Sequence, residues 1–403
     1  MPHTNTPQDT SDIINSKPAL FTAVMILSIA YLVYNMLPVI LGSAADSLGL
    51  NEQQMGYLGS IYMAGSTIAN VVAVLWIRSF NWRKMVMYSS IVATACYLGG
   101  MAASYQSLLI LFFVLGIVNG CIVSVAVTCL GDTRSPDRSF GFGVGFQVAL
   151  AGILAFLLPI TVVPLWGFNG VMVALAGTVF ISLFLLHLLP EQGPEQTPDS
   201  ADASSDAHAG HGSLTAVWMG ITALMIYALG QSAIWAFLDR IALNAGIDNE
   251  LLGLIFGITL ILSAAGGFIA SYTGAKFGRI WPVVIASSIT LVSFIMMPMS
   301  SNPWVYAAAV LLFAGAWNFI LPFQMTIIIE SDSHGKLTPM IPACQLLGST
   351  IGPALAGNLI FDGDYFYVYL LATISTLISM VMFVGIEKFL HRSNTELPAV
   401  AGL

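Results

Sequence analysis

The chain has 403 residues, of which 57% are hydrophobic and 8% are charged, and its formal net charge is −8. Soluble domains carry about 25% charged residues, so a soluble chain of this composition could not cover its surface with polar groups. The composition excludes an ordinary soluble protein and indicates the lipid bilayer as solvent and partner. The acidic balance gives no reason to expect nucleic acid as a partner.

Twelve apolar runs follow a polar start that lacks the features of a cleaved signal peptide. Each run is near the ~20 residues that cross the hydrocarbon core of a bilayer. Because a backbone in lipid must satisfy its own hydrogen bonds, and the runs do not alternate, they are predicted to be α-helices. In chain order they cover 19–41, 54–77, 84–104, 107–130, 139–163, 167–189, 214–238, 250–273, 280–299, 303–328, 338–361 and 365–387.

A segment rich in Pro, Gly, Ser and acidic residues separates the first six runs from the last six. Such a composition cannot bury a core and indicates a flexible linker. Its two histidines, His208 and His211, are interpreted as solvated, so neither a metal site nor a cofactor is predicted. The predicted segments are an N-terminal tail (1–17), a six-helix bundle (18–189), the linker (190–213), a second six-helix bundle (214–389) and a C-terminal tail (390–403).

The basic residues predict the orientation of the chain. With a cytoplasmic N-terminus, eleven of the twelve Lys and Arg residues fall on the cytoplasmic side, and only Arg240 falls outside. Basic residues favour cytoplasmic loops in bacterial inner-membrane proteins. We therefore expect an inner-membrane protein with both termini and the linker in the cytoplasm.

The two halves of the sequence repeat each other. LGLNEQQMG (48–56) matches AGIDNELLG (245–253) at an offset of 197 residues. Similar offsets relate three further pairs of residues, which are Asn119 and Asn318, Asp132 and Glu330, and Gln147 and Gln345. The near-constant offset indicates a duplicated six-helix unit. In one large transporter architecture such repeats are related by an axis along the membrane normal, with the substrate site near the midplane.

Two six-helix bundles joined by a cytoplasmic linker resemble the major facilitator superfamily over residues 18–390. That family usually has G-x-x-x-D-x-x-G-R-K between its second and third helices. LWIRSFNWRK (75–84) keeps Arg83 and Lys84 but has Ser79 at the Asp position, and SYTGAKFGR (271–279) keeps Gly278 and Arg279 but has Ala275 there. The resemblance implies an all-α membrane protein of twelve helices in two pseudo-symmetric bundles.

The resemblance also implies that acids at the inner ends of the fourth and tenth helices face these basic loops. We expect Asp132 to pair with Arg83 or Arg78. Likewise, Glu330 is expected to pair with Arg279 or Lys276, and such pairs would form a gate. The alternative is ordinary solvated surface charge, worth about 0–1 kcal/mol per pair.

The seventh run contains YALGQSAIWAFLDR (227–240), in which Tyr227, Gln231, Trp235 and Asp239 recur every four residues. Residues four apart advance about 400° on a helix, so these side chains form one stripe. The resemblance implies that this helix lines the central cavity, where such a stripe suits an amphipathic ligand. Asp239 and Arg240 would be an outer gate, a proton-titrating pair or a charge that attracts organic anions. The alternative is an interfacial belt at a helix end.

Polar and aromatic residues of other runs are further candidates for substrate contact. Each could instead hydrogen-bond a neighbouring helix, worth about 0.6–2 kcal/mol. The repeat-related pairs rank above the rest, because duplicated positions face a shared axis. The candidates are Tyr31, Tyr34 and Asn35 beside Pro38, Tyr62 and Asn70, Asn119, Gln147, Trp317, Asn318, Gln324 and Gln345.

The sequence therefore predicts a monomeric secondary transporter that moves a small amphipathic or aromatic organic molecule by alternating access. A P-loop is absent, so ATP is not expected to drive transport directly. The resemblance implies protons as the coupling ion, with Asp239 as the first candidate carrier and Glu330 or Asp132 next. GSTIGPALAG (348–357) resembles an exporter motif, which favours export slightly over uptake. The alternative is that its small residues only allow two helices to pack backbone to backbone. The alternatives are an uptake symporter or facilitator of an organic anion, and a non-transporting sensor. Nothing forms a catalytic set, so an enzyme is not expected.

Overall fold

The computed structural model describes residues 13–193, 214–273, 276, 278–299, 302–332 and 340–395. The chain divides into two compact units, unit 1 (residues 1–195) and unit 2 (residues 196–403). The described part is almost wholly helical and contains no β-strand. His208 and His211 lie outside the described residues, as do positions 1–12, 194–213 and 396–403 of the predicted tails and linker.

Unit 1 contains six helices at the six predicted runs. They are α1 in three segments (Lys17–Ala30, Leu32–Asn35 and Leu37–Leu48), α2 (Glu52–Trp76), α3 (Trp82–Gly100), α4 (Tyr105–Gly131), α5 (Pro136–Leu157) and α6 (Val163–Leu185).

Unit 2 also contains six helices at the predicted runs. They are α7 (Leu214–Asn244), α8 (Asn249–Thr273), α9 (Ile280–Met296), α10 (Pro303–Ser331), α11 (Ile341–Leu359) and α12 (Phe366–Thr395). Across the described residues, seven helical stretches are long and apolar enough to cross a membrane, and one of them, Arg138–Leu188, contains both α5 and α6.

Helix α1 is interrupted twice, at Tyr31 and at Met36. The backbone angles at Met36 (φ −103°, ψ 13°) depart from helical values, and Pro38 lies in the first turn of the segment that follows. Proline cannot donate to the preceding turn, which accounts for the break. The two interruptions bracket Tyr34 and Asn35.

The turn between α5 and α6 depends on Gly167. Pro159 lies in a π-helical stretch, Leu158–Val162, and the chain reverses at Gly167, where φ is 53° and ψ is −141°. This conformation is strained for any residue with a Cβ. An added Cβ would also lie 2.5 Å from the Oγ of Ser47, which accepts a hydrogen bond from the Phe168 amide at 2.9 Å. The turn is thus held on the end of α1.

The same close helix contact occurs in both units. A Cβ on Gly116 of α4 would come within 2.0 Å of the Tyr62 carbonyl oxygen of α2. In unit 2, a Cβ on Gly266 of α8 would come within 2.2 Å of the Gly315 carbonyl oxygen of α10. Small residues allow such backbone contact, which replaces the hydrophobic driving force that lipid does not supply.

Helices α7 and α11 also touch backbone to backbone. A Cβ on Gly348 would lie 2.1 Å from the Met225 carbonyl oxygen, and one on Gly352 would lie 2.4 Å from that of Leu229. This packing accounts for GSTIGPALAG without reference to the direction of transport.

The repeated sequences around residues 48–56 and 245–253 form the same kind of turn. Gly49 and Gly246 both have positive φ, 66° and 80°, as the end of a helix requires. Asn51 and Asp248 then cap the next helix by accepting hydrogen bonds from the amides of Gln54 and Leu251. In each repeat, the need for a glycine at the end of one helix and a capping residue at the start of the next therefore explains the distance of two residues between them.

Within each unit the helices alternate in direction, so each unit has two ends. We call one end of each unit its near end and the opposite end its far end. The near end of unit 1 holds the α2–α3 and α4–α5 connections, and the near end of unit 2 holds the α8–α9 and α10–α11 connections. The far end of unit 1 holds the turn at Gly49, and the far end of unit 2 holds the turn at Gly246. The described Lys and Arg residues lie at the near ends, apart from Arg240, which lies at the far end of unit 2.

We expect Gly116→Ala to lower the melting temperature of the detergent-purified protein by about 5 °C, because the added Cβ collides with backbone. Gly177→Ala is the matched control, since a Cβ on Gly177 of α6 meets no atom within 4 Å. Equal melting temperatures for the two variants would contradict the close α2–α4 contact.

Candidate functional site

The near end of unit 1 carries two separate ion pairs. Arg78 donates to both carboxylate oxygens of Asp132, with a distance of 2.9 Å between Nη2 and Oδ1. Arg83, the other expected partner of Asp132, contacts the Leu189 carbonyl oxygen and lies 3.3 Å from the Glu191 carboxylate. The arginine of the family-like loop is therefore engaged by the end of α6.

Glu191 also receives two further hydrogen bonds. Asn81 donates to its carboxylate at 3.1 Å, and the backbone amide of Trp82 donates to its carbonyl oxygen at 2.7 Å. Composition alone indicated a flexible segment from residue 190 onward, whereas residues 190–193 lie against the α2–α3 connection. Glu191 supplies a carboxylate to a loop that has Ser79 where the family pattern has Asp.

The near end of unit 2 has a related arrangement. Arg279, before α9, contacts the carboxylate of Glu330 at the end of α10. Glu387, near the end of α12, adds a second carboxylate in range of Arg279. Lys276 lies instead over the ring of Tyr272, 4.1 Å from its centroid. A gating role for these pairs remains a prediction.

The stripe on α7 contacts three other helices of unit 2. The Tyr227 hydroxyl lies beside Thr290 of α9. Gln231 is fully buried and donates from Nε2 to the Thr376 hydroxyl of α12 at 3.1 Å. These are contacts of side chains that join helices, the alternative that the sequence left open.

Farther along the stripe, Trp235 packs edge-to-face on Trp317 of α10, with ring centroids 6.4 Å apart and an interplanar angle of 84°. Asp239 is 8% exposed, lies 3.6 Å from the Arg240 Nε, and is in electrostatic range of Tyr306. The far end of α7 thus buries a carboxylate beside its own cation.

Unit 1 places a polar cluster between α2, α3 and α4. The Asn119 amide donates to the hydroxyls of Tyr62 at 3.3 Å and Tyr97 at 3.5 Å. Tyr31 lies in electrostatic range of Tyr62, and its ring packs edge-to-face on Tyr34. Tyr97 of α3 was not among the sequence candidates.

The asparagines related by the repeat play the same part in each unit. Asn119 joins α4 to α2, and Asn318 donates to the Ser263 carbonyl oxygen of α8 at 3.3 Å. Asn70 likewise bonds within its unit, accepting from Ser124 of α4 at 3.1 Å. These hydrogen bonds join the same helix pairs, α2 with α4 and α8 with α10, that the glycine contacts bring together.

Gln324 of α10 differs from these residues. It is 1% exposed, and neither its Nε2 nor its Oε1 has a hydrogen-bond partner within the part of the chain that the structure describes. The buried Nδ2 of Asn35, at the interruption of α1, also lacks a partner among those residues. Gln147 and Gln345 are half-buried.

The helix register places Gln324 on α7. A Cβ on Gly220 of α7 would lie 2.7 Å from the Ile328 side chain of α10, so these two residues lie at the same height along the helix axes. Because α10 runs antiparallel to α7, Gln324 is level with Leu224. Trp317 lies seven residues before Gln324, almost two full turns, which places both on one face of α10 about 10 Å apart. We call Trp235, Trp317 and Gln324 the α7–α10 face.

Gln345 lies at a similar level on the other side of α7. Gly348 packs on Met225, and α11 runs parallel to α7. Gln345, three residues before Gly348, is therefore level with Thr222. Two amides thus flank α7 within one helical turn of each other along its axis.

Comparison with known proteins decides the family. The family model described as Major Facilitator Superfamily matches residues 23–222 and 220–401. The chain belongs to the major facilitator superfamily. No curated protein sequence matches it.

Solved structures of other superfamily members have the same fold. A bacterial homolog of the human lysosomal transporter Spinster, in an inward-facing and unoccupied conformation, has 15% identity and a TM-score of 0.65, covering 94% of this chain and 98% of that one. The nucleoside transporter NupG has 10% identity and a TM-score of 0.72, covering 91% and 99%. A D-xylose–proton symporter has 14% identity and a TM-score of 0.67, covering 92% and 97%.

These findings confirm the predicted fold class, twelve helices in two bundles of the major facilitator superfamily. They also show a multi-pass membrane transporter of a small molecule rather than an enzyme. At 10–15% identity the neighbours establish the fold alone. The substrate and the residues that bind it are therefore inferred from this chain.

The two buried glutamines of unit 2 should respond differently to the same substitution. Gln324→Leu removes an amide that makes no hydrogen bond, so we expect an unchanged or higher melting temperature. Gln231→Leu leaves Thr376 without its donor, so we expect a decrease of a few degrees, for about 1–3 kcal/mol. A larger decrease for Gln324→Leu than for Gln231→Leu would contradict this difference.

Proposed function

We propose that this transporter binds an uncharged, aromatic or amphipathic organic molecule at the α7–α10 face and couples its movement to protons. The Trp235 and Trp317 rings would hold the apolar part of the molecule, and Gln324 would hold its polar part. Residues 214–238 of α7 and 303–329 of α10 contain no Lys, Arg, Asp or Glu. A charged substrate would therefore find no counter-ion there.

The unsatisfied amide of Gln324 is the observation that carries this proposal. A buried polar group without a partner costs about 1–3 kcal/mol. Gln231 and Asn119 each pair their amide nitrogen within their own unit and leave only the amide oxygen unpaired, whereas neither amide atom of Gln324 has a partner among the described residues. Departures from local rules concentrate at functional sites. A ligand that offers both a donor and an acceptor would restore the bonds that Gln324 lacks.

The alternative substrate, an organic anion attracted by Arg240, has less support. The Arg240 side chain is 16% exposed and lies beside the Asp239 carboxylate. Its positive charge is largely balanced within the helix that carries it. This pairing favours an uncharged substrate over an anion.

Asp239 is our proposed proton carrier. It is the buried carboxylate of α7, and α7 also carries Trp235, one turn away. Protonation would release Arg240 from its ion pair, which gives the proton a defined effect on α7. A D-xylose–proton symporter shares this fold, so the fold can accommodate proton coupling.

A ligand screen tests the substrate class. We expect neutral aromatic compounds that carry a donor–acceptor pair to raise the melting temperature of the purified protein, because ligand binding stabilises the folded state. Gln324→Leu should lower affinity for the best compound by about tenfold, since a lost hydrogen-bond pair is worth roughly 1–2 kcal/mol. Leu321→Ala on the same helix is a control for packing changes.

Stabilisation by organic anions alone, or by organic cations alone, would contradict the uncharged substrate class. Unchanged affinity in Gln324→Leu would exclude its amide as the polar anchor.

Asp239→Asn tests the coupling proposal in liposomes that contain the purified transporter. We expect the variant to exchange substrate across the membrane but to lose proton-driven accumulation, because Asn cannot carry a proton. Asp248→Asn is the control, since its side chain is exposed at the same end and Asn can still cap α8. Proton flux that persists in Asp239→Asn at the wild-type rate would remove this residue as carrier.

A further inference from the structure

We propose that a cleft at the far end of unit 2 is a second, peripheral binding site for a lipophilic organic cation. The cleft lies among the last residues of α7, the last residues of α9 and the first residues of α12, and its volume is about 840 Å³. Sites for drug-sized molecules occupy about 300–1,000 Å³. None of the residues that line it belongs to the α7–α10 face.

Aromatic side chains form much of the cleft wall. Phe294 of α9 and Tyr365 are buried, Tyr369 is half-buried, and Phe366 is exposed at the rim. The faces of aromatic rings carry partial negative charge and attract cations within about 6 Å. The wall therefore suits an apolar ligand that carries a positive charge.

Asp364 is the charged side chain among the described residues that line the cleft, and these residues include no Lys, Arg or His. Arg240, next to Ile241 on α7, does not line the cleft and lies 3.6 Å from the Asp239 carboxylate. The C-terminal ends of α7 and α9 add partial negative charge from unsatisfied carbonyl groups, and the N-terminal end of α12, which carries partial positive charge, is capped by the Asp364 carboxylate. Complementarity therefore selects a cation.

The position of the cleft favours a ligand that arrives from the membrane. Ile295 of α9 is 62% exposed and Leu370 of α12 is 41% exposed, and both line the cleft. The exposed residues Val292 and Ile374 continue these apolar surfaces along the two helices. A phospholipid is less suitable, because its phosphate would meet no basic side chain among the described residues of the cleft.

Asp364→Asn is the decisive variant. Asp364 accepts a hydrogen bond from the Phe366 amide at 2.9 Å, and Asn can keep this cap while losing the charge. Asp362→Asn is the matched control, because Asp362 is exposed in the same loop and does not line the cleft. Its φ of 52° also suits Asn.

The probe is radiolabelled tetraphenylphosphonium, measured on the full chain in phosphatidylcholine nanodiscs after subtraction of empty nanodiscs. Tetraphenylborate has the same shape and the opposite charge. We expect saturable binding of the phosphonium only, with a dissociation constant about fivefold higher in Asp364→Asn and unchanged in Asp362→Asn. Gln324→Leu should leave phosphonium binding unchanged, even where it weakens binding of the substrate.

Five results would each overturn the proposal. Saturable binding of tetraphenylborate with similar affinity would exclude charge selection. Equal affinity in Asp364→Asn and the wild type, or equal weakening in Asp362→Asn, would remove the cleft as the site. Loss of binding in Gln324→Leu alone would assign the cation to the α7–α10 face. Displacement by phosphatidylethanolamine would assign the cleft to a lipid headgroup.

Discussion

The structure depends on one constraint, which is that polar groups inside an apolar solvent must find partners within the protein. Helices satisfy the backbone, buried hydroxyls such as those of Ser28 and Thr67 donate to carbonyl oxygens of their own helix, and several amides reach a neighbouring helix. Gln231 reaches α12, Asn119 reaches α2 and α3, and Asn318 reaches α8. Gln231 and Asn119 each leave one amide atom unpaired, whereas Gln324 leaves both unpaired among the described residues, and our account of substrate binding follows from that difference.

The duplication determines how each unit is built. Glycines bring α2 against α4 and α8 against α10, and an asparagine three residues after Gly116 or Gly315 hydrogen-bonds across the same pair of helices. The near ends repeat a second pattern, in which a loop arginine meets an acid from another helix end. Arg83 with Glu191 and Arg279 with Glu330 are the two instances. Differences between the units, such as the interruptions of α1, are therefore informative about function.

Much of the fold could be predicted from the sequence because its signals are local. The turns at Gly49 and Gly246 follow from a glycine with positive φ and a capping residue two positions later. The pairing of Arg279 with Glu330 could be anticipated from repeat positions. The partner of Arg83 could not, because Glu191 lies 108 residues away in a segment whose composition resembles a linker. The partners of the α7 stripe could not be predicted either. Apolar residues occur on every face of α7, so its periodicity does not say which face meets another helix.

The most direct test of the central claim is a structure of the transporter in a lipid nanodisc with its best-binding neutral ligand. Our account predicts polar ligand atoms at hydrogen-bond distance, about 2.7–3.2 Å, from both Nε2 and Oε1 of Gln324, with the apolar part of the ligand against Trp235 or Trp317. A ligand bound elsewhere, with the Gln324 amide hydrogen-bonded to the protein itself, would contradict it.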